Sequence, residues 1–556
     1  MRTTPERQGP STGTGVVVLP RPAPGPPAPP SAPAGRARQP PVRPRRLPAL
    51  LDPVVVGLVS LAVYVLHGYD GNLGRDLGVF TYGGEQVAHG VPPYVGVFNS
   101  VGPLADAVPG MAIWLGHLVD VGPLLSARLL FTALSALACA LLCVLARDTF
   151  GSRAAGLLAP AVFLTFERFL ELSSDGPREK TTMVVFLLAT LIVAGRRHWL
   201  AAGVFTALAT LAWQPVFLVA VAAVAVGALA GGKGRLRALT LFLVGGAIPS
   251  AVTVLWFVLA HALTQALDGF IVVNVGYTQQ PSALTSPRYV WWMLWDEYHV
   301  TLLVALVGLV AMLVLATRAV PVVRRSAGVV APAPLRLVSL GAGCLVGCLW
   351  SIAVINGGPD LFVVLPFAAL GVAGAVVLLA ARLPRRLASG VAAGVICVGL
   401  VVAGVESVAT RNDELLLERA DVNAVLATQP ADATIFALEA PEVLAISGRR
   451  NIWPWQLFDR RMHSYLDHTR PGGLAGLANQ LAAQRPTFVV IGDRYIGSWQ
   501  QAVVQRDYVR VGHGPAWTWY LSRATGPAAL ARARADEATA MAATTTQSGV
   551  DARWAG

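Results

Sequence analysis

The residues best suited to chemistry follow the first apolar run of the chain: Arg75 and Asp76, then Gly78, Phe80, Tyr82, Gly90, Pro93 and Tyr94. If that run crosses a membrane, Asp76 lies in a loop at the membrane edge, where a carboxylate can accept a proton from a hydroxyl. General-base assistance of this kind contributes typically ~10² to 10⁴-fold in rate. Pairing with Arg75, or capping a short helix, would account for Asp76 without any reaction. A second stretch, Ser173 to Lys180, concentrates Asp175, Arg178, Glu179 and Lys180 between two apolar segments, and a self-paired, solvated turn is its plainest explanation. Arg128 stands about one helical turn inside the end of an apolar segment, where an unpaired charge is costly, so it must face protein or an anion.

These charges are set in a chain of 556 residues that is 54% hydrophobic and only 13% charged, which fits a polytopic membrane protein and exceeds what a soluble core needs. The net charge of +12 does not indicate nucleic acid, because the basic residues fall in short clusters between apolar runs and in the first 46 residues. Cys139, Cys143, Cys344, Cys348 and Cys397 all lie within apolar runs and read as packing residues. There is no zinc-ligand spacing, phosphate-cradling Gly-Lys loop or serine elbow.

Residues 1–46, with eight arginines, one glutamate and many prolines, cannot bury apolar surface and read as a disordered cytoplasmic tail. The first span, near 50–67, then acts as an uncleaved signal anchor. Further spans fall near 124–146, 154–172, 180–195, 199–213, 215–231, 237–260, 300–317, 336–355, 360–381 and 387–406. The apolar stretch 103–119 is ambiguous, since it carries Pro103, Asp106 and Pro109. If it does not cross, the inside connections hold fourteen Lys or Arg and the outside ones only Arg75, Arg178, Lys180 and Arg288. Letting it cross reverses every loop against the positive-inside rule. Eleven spans are therefore expected, with twelve as the alternative, and the loop 68–123 and everything after the last span lie outside.

The expected fold is mainly α, a polytopic transmembrane helix bundle over 47–410 with a small C-terminal extracytoplasmic α/β domain over 411–523. That domain is read from helical stretches at 413–429 and 472–485 and strands at 434–438 and 487–491. Residues 524–556, rich in Ala and Thr, read as a flexible tail. Trp453, Trp455, His463, Trp517 and Trp519 suit either sugar recognition or core packing.

The run Asp76, Gly78, Phe80, Tyr82, Gly90, Pro93, Tyr94, followed by Gly102 and Pro103, resembles the first external loop of polyprenyl-phosphate-sugar-dependent membrane glycosyltransferases of the GT-C superfamily, in the protein-mannosyltransferase-like branch. The likeness extends over roughly residues 50–405 as loop motif and span order. It implies that Asp76 is the catalytic base. It further implies that Asp175 or Glu179 orients Asp76 or binds a divalent metal, and that Arg178 and Lys180 hold the donor phosphate. Arg128 joins them as a phosphate ligand or pairs with a loop acid. Arg288, in the aromatic loop 261–299, either faces the phosphate or belongs to the headgroup belt. The chain departs from the pattern at Gly96, Asn99 and Val101, where relatives often carry an acid and a lysine.

The implied activity is transfer of a sugar, mannose by resemblance, from a polyprenyl-phosphate carrier in the membrane lipid to an extracytoplasmic acceptor that is a protein, lipid or polysaccharide. A transporter or lipid flippase, and a noncatalytic membrane scaffold, are the alternatives.

Overall fold

The computed structural model describes residues 47–554 apart from 231–233, 278–282, 326–331 and 428; the tail expected over 1–46 lies outside the described residues. Helices dominate, and the protein is a helical membrane bundle. Among the described residues five helical stretches are long and apolar enough to cross a membrane: Pro123–Phe150, Arg235–Leu259, Pro287–Val323, Ala333–Ala353 and Arg385–Ala427. Shorter apolar helices, such as Trp199–Ala212, Val216–Leu229 and Leu365–Ala380, fill the spaces between them. Only 17% of the apolar window of Arg235–Leu259 is buried within the protein. Leu236, Leu243, Val252 and Leu259 face outward from it, an apolar face that lipid, not water, can cover.

The segment between the first two apolar helices forms two short helices, Arg75–Ala88 and Leu104–His117, packed against each other. At 1.5 Å per residue the 14 residues of Leu104–His117 extend about 21 Å, short of a hydrocarbon core of about 30 Å.

After the bundle the chain builds a four-stranded sheet in the order β1-β2-β4-β3, with β1 Ile435–Leu438, β2 Phe488–Gly492, β3 Tyr508–His513 and β4 Trp517–Ser522. β1 and β2 are parallel, pairing Ile435 with Phe488, as the helices between them require; β2–β4 and β4–β3 are antiparallel. Trp517 and Trp519 alternate inward along β4, and both donate through Nε1 to Oδ2 of the buried Asp421 at 2.8 Å. Their role is in the core. Residues from Leu47 onward form one compact unit, so the α/β segment is not set apart from the bundle. It docks on Arg75–Ala88 through the helix Pro441–Ser447, and Phe98 N donates to Pro454 O at 2.8 Å.

The flexible tail expected over 524–556 is corrected by the structure: Pro527–Trp554 is a helix. Its alanines favour helix formation, and a seam packs it on Glu414–Ala427 and β3. Ala533 is buried, Glu537 accepts from His513 N at 3.1 Å, and Arg534 donates to Arg510 O at 2.7 Å.

Candidate active site

Asp76 occupies the first turn of Arg75–Ala88, where the partial positive charge of the helix start favours a carboxylate. Its side chain is 35% exposed and faces a cavity of about 760 Å³. The two oxygens have different partners. Oδ1 accepts from Arg75 Nε at 3.1 Å and Nη2 at 3.0 Å, while Oδ2 accepts from Arg178 Nη1 at 2.8 Å. Burial alone would push this carboxyl up, but Arg178 and Arg75 outweigh it and hold the group far below the usual carboxylate range. Asp76 is therefore ionised at any working pH.

From Asp76 a line of ion pairs runs along one cavity wall. Arg178 Nε lies 3.4 Å from Glu179 Oε2, Glu179 Oε1 lies 2.9 Å from Lys180 Nζ, and Lys180 Nζ lies 3.1 Å from Asp360 Oδ1. Asp360 Oδ2 accepts from Asn356 N at 2.7 Å, which fixes the turn that precedes the short helix Gly358–Val363. Beside this line Arg168 pairs with Glu297 at 3.0 Å and with Glu171 at 2.8 Å. Lys180 also sits 5.4 Å from the ring centroid of Trp213. Other lining residues are neutral: Gln214 Nε2 and Asn274 Nδ2 both donate to Ser100 O, at 3.1 and 2.6 Å, and Asn99 donates to Asp106 at 3.1 Å.

Of the residues singled out in sequence, Asp76, Arg178, Glu179 and Lys180 come together on this cavity. Three do not. Arg128 is fully buried and donates to the carbonyls of Tyr69, Gly71 (2.8 Å) and Asn72 (3.4 Å). These bonds shape the segment before Asp76, and Arg128 does not line the cavity. Asp175 lies 3.4 Å from His67 Nε2 and tight against Gly71, where a Cβ would fall 2.2 Å from Oδ1; it does not line the cavity. Arg288, in the first turn of Pro287–Arg325, is exposed and lines no part of the cavity.

Sequence reading missed the contribution of the α/β segment. Arg460, Arg461 and Arg494 line the cavity, and Glu439 accepts from Arg75 Nη1 at 2.8 Å. They lie more than 350 residues from Asp76, and no local spacing could have joined them to it. Arg75 had its signal in plain view, as the cation next to Asp76. Among the described residues no group of three or more His, Cys, Asp or Glu is arranged to hold a metal ion. Asp76, Glu179, Glu297, Asp360 and Asp459, the cavity's carboxylates, each have an Arg or Lys partner.

The helical bundle and its α/β segment share their fold with solved structures. No protein-family profile and no curated protein matches the chain. Among solved structures, it is similar to ArnT from Cupriavidus metallidurans bound to undecaprenyl phosphate, with a TM-score of 0.56 and 15% identity over 87% of this chain and 99% of that one. The apo state of the same protein aligns equally, over 86% and 99%. The arabinofuranosyltransferase AftD from mycobacteria aligns more loosely, at a TM-score of 0.49 and 17% identity over 84% of this chain and 40% of that one.

Proposed function

We propose that the protein is an integral membrane glycosyltransferase that moves a sugar, mannose in the first instance, from a polyprenyl-phosphate carrier to a hydroxyl outside the cytoplasm, with inversion at the anomeric carbon. The observation that carries this reading is the placement of ionised Asp76 on a cavity wall it shares with Arg178, Lys180 and Arg168. The fold shared with an undecaprenyl-phosphate-binding protein supports it. On this reading the cavity opens on the extracytoplasmic side, with the N-terminus inside and the α/β segment outside.

Asp76 Oδ2 takes the proton of the acceptor hydroxyl as the acceptor oxygen attacks the anomeric carbon. The bond from that carbon to the phosphate oxygen breaks, and the phosphate leaves with the electron pair. Arg178 and Lys180 stabilise the charge that develops on it. At rest Arg178 makes Asp76 a weak base. A phosphate that draws the guanidinium onto itself relieves this and raises the proton affinity of Oδ2, so donor binding prepares the base. A lipid phosphate is a good leaving group and needs no separate acid.

The test is incubation of the purified full-length protein with labelled polyprenyl-phosphate mannose and crude envelope acceptors. Transfer with inverted anomeric configuration is expected. Donor binding without transfer by folded protein, or transfer with retention, overturns the proposal.

A further inference from the structure

The three guanidinium nitrogens of Arg75 are used unequally. Nε and Nη2 lie on Asp76 Oδ1, while Nη1 reaches across to Glu439 Oε2 at 2.8 Å. Glu439 follows β1, and its side chain is 2% exposed. Three devices hold it. Its backbone is in the left-handed region, with φ of 56°, a conformation that costs a non-glycine residue free energy and persists only where the surroundings enforce it. Its N–H donates to Gln456 O at 2.8 Å, and its Oε1 accepts from Phe458 N. Its carbonyl lies so close to Gly492 that a Cβ there would come within 2.0 Å of the oxygen. A strained, buried acid fixed this firmly has one outward effect, which is to aim Arg75. Asp459 and Tyr495 are the other ionisable groups that act on it or feel its charge.

Resting on the reading of Asp76 as base, we infer that Glu439 is a positioning residue for the transfer. By fastening Arg75 to Oδ1 it keeps that arginine off the incoming phosphate and leaves Oδ2 as the oxygen that takes the proton. Arg178, whose partners are Asp76 and Glu179, is the guanidinium free to move to the phosphate. The two arginines flanking Asp76 thus divide the work, and the α/β segment decides which does what.

The division can be read without turnover. Asp76→Cys places a thiol beside Arg75, and its alkylation by iodoacetamide is followed across pH in the full-length protein in lipid nanodiscs, with the unmodified protein as background. Adding Glu439→Gln, which keeps an acceptor for Phe458 N, is expected to raise the thiol's pKa by about one unit and slow alkylation about tenfold at a fixed pH below it, the size of effect a cation within ~4–6 Å exerts. Arg75→Gln gives the same shift, the two together add nothing, and Glu439→Asp recovers part of it. No shift, a downward shift, or shifts that add would each overturn the assignment. So would alkylation of the buried Cys139 in the Glu439→Gln protein, because Glu439 would then be holding the fold itself. Asp76→Asn turnover, measured separately, decides the base; a thiol indifferent to Glu439 sinks only the positioning role.

Discussion

Two sets of residues that line the cavity differ in kind. In one, Asp76, Arg178, Glu179, Lys180 and Asp360 form a continuous line of opposite charges. In the other, Asn99, Gln214 and Asn274 are neutral amides whose donors are taken up by Asp106 and Ser100. Charges lined up in alternation hold one another in place and can be redistributed when an anion enters; self-satisfied amides cannot. A sugar phosphate, with a charged end and a neutral ring, matches this division. The comparison teaches that charge in this site is built to move, while the neutral side is built to stay.

After Asp76, the largest effect among the wall residues is expected at Arg178. A hydrogen bond to a charged group is worth about 1.5–3 kcal/mol, so Arg178→Gln should weaken undecaprenyl-phosphate binding by roughly ten- to hundredfold, as read by fluorescence competition in nanodiscs. Equal affinity in the variant would break the assignment of the charged wall to phosphate. Among the neutral residues, Gln214→Ala removes the uncharged hydrogen bonds to Ser100 O and Phe270 O, each of about 0.5–1.5 kcal/mol. It should raise KM for the sugar donor by a few-fold while leaving undecaprenyl-phosphate binding unchanged; equal losses on both ligands would show that the two sets do not divide the substrate.

A third prediction concerns the dock that carries Glu439 to the site. Burial pushes the Glu442 carboxyl, packed against Gly78 of Arg75–Ala88, up to about 8. Because the folded form holds a proton that the unfolded form has lost, stability falls as pH rises from the ordinary glutamate value near ~4.3 towards about 8 and is flat beyond. Glu442→Gln should therefore gain in melting temperature over the parent between pH 5 and pH 8 and hold that gain above it. A gain independent of pH would contradict the assignment. The smallest effect is expected from EDTA: since each cavity carboxylate already has a cationic partner, chelation should leave the transfer rate unchanged, and a loss restored by magnesium or manganese would show otherwise.

Hydropathy made the helical bundle legible, because long apolar runs leave the chain few other solutions, and the residues around Asp76 pointed to the fold that was found. Arg178 and Lys180 were legible as a dense charged turn, though their order along the wall was not. For Arg128, sequence showed that a buried guanidinium needs partners but not that three backbone carbonyls would be among them. The helix Pro527–Trp554 was missed because its Ala- and Thr-rich composition reads as a tail until Glu414–Ala427 and β3 give it a surface. Glu439 was out of reach: a strained residue 363 positions from Asp76 gains its meaning only when the helix Pro441–Ser447 docks on Arg75–Ala88.

The central claim, that Asp76 removes the acceptor's proton, is tested most directly by measuring sugar transfer and donor binding side by side in Asp76→Asn. The account predicts a rate lower by about 10²-fold or more with donor affinity kept. A rate near that of the parent protein, with donor bound, would contradict it.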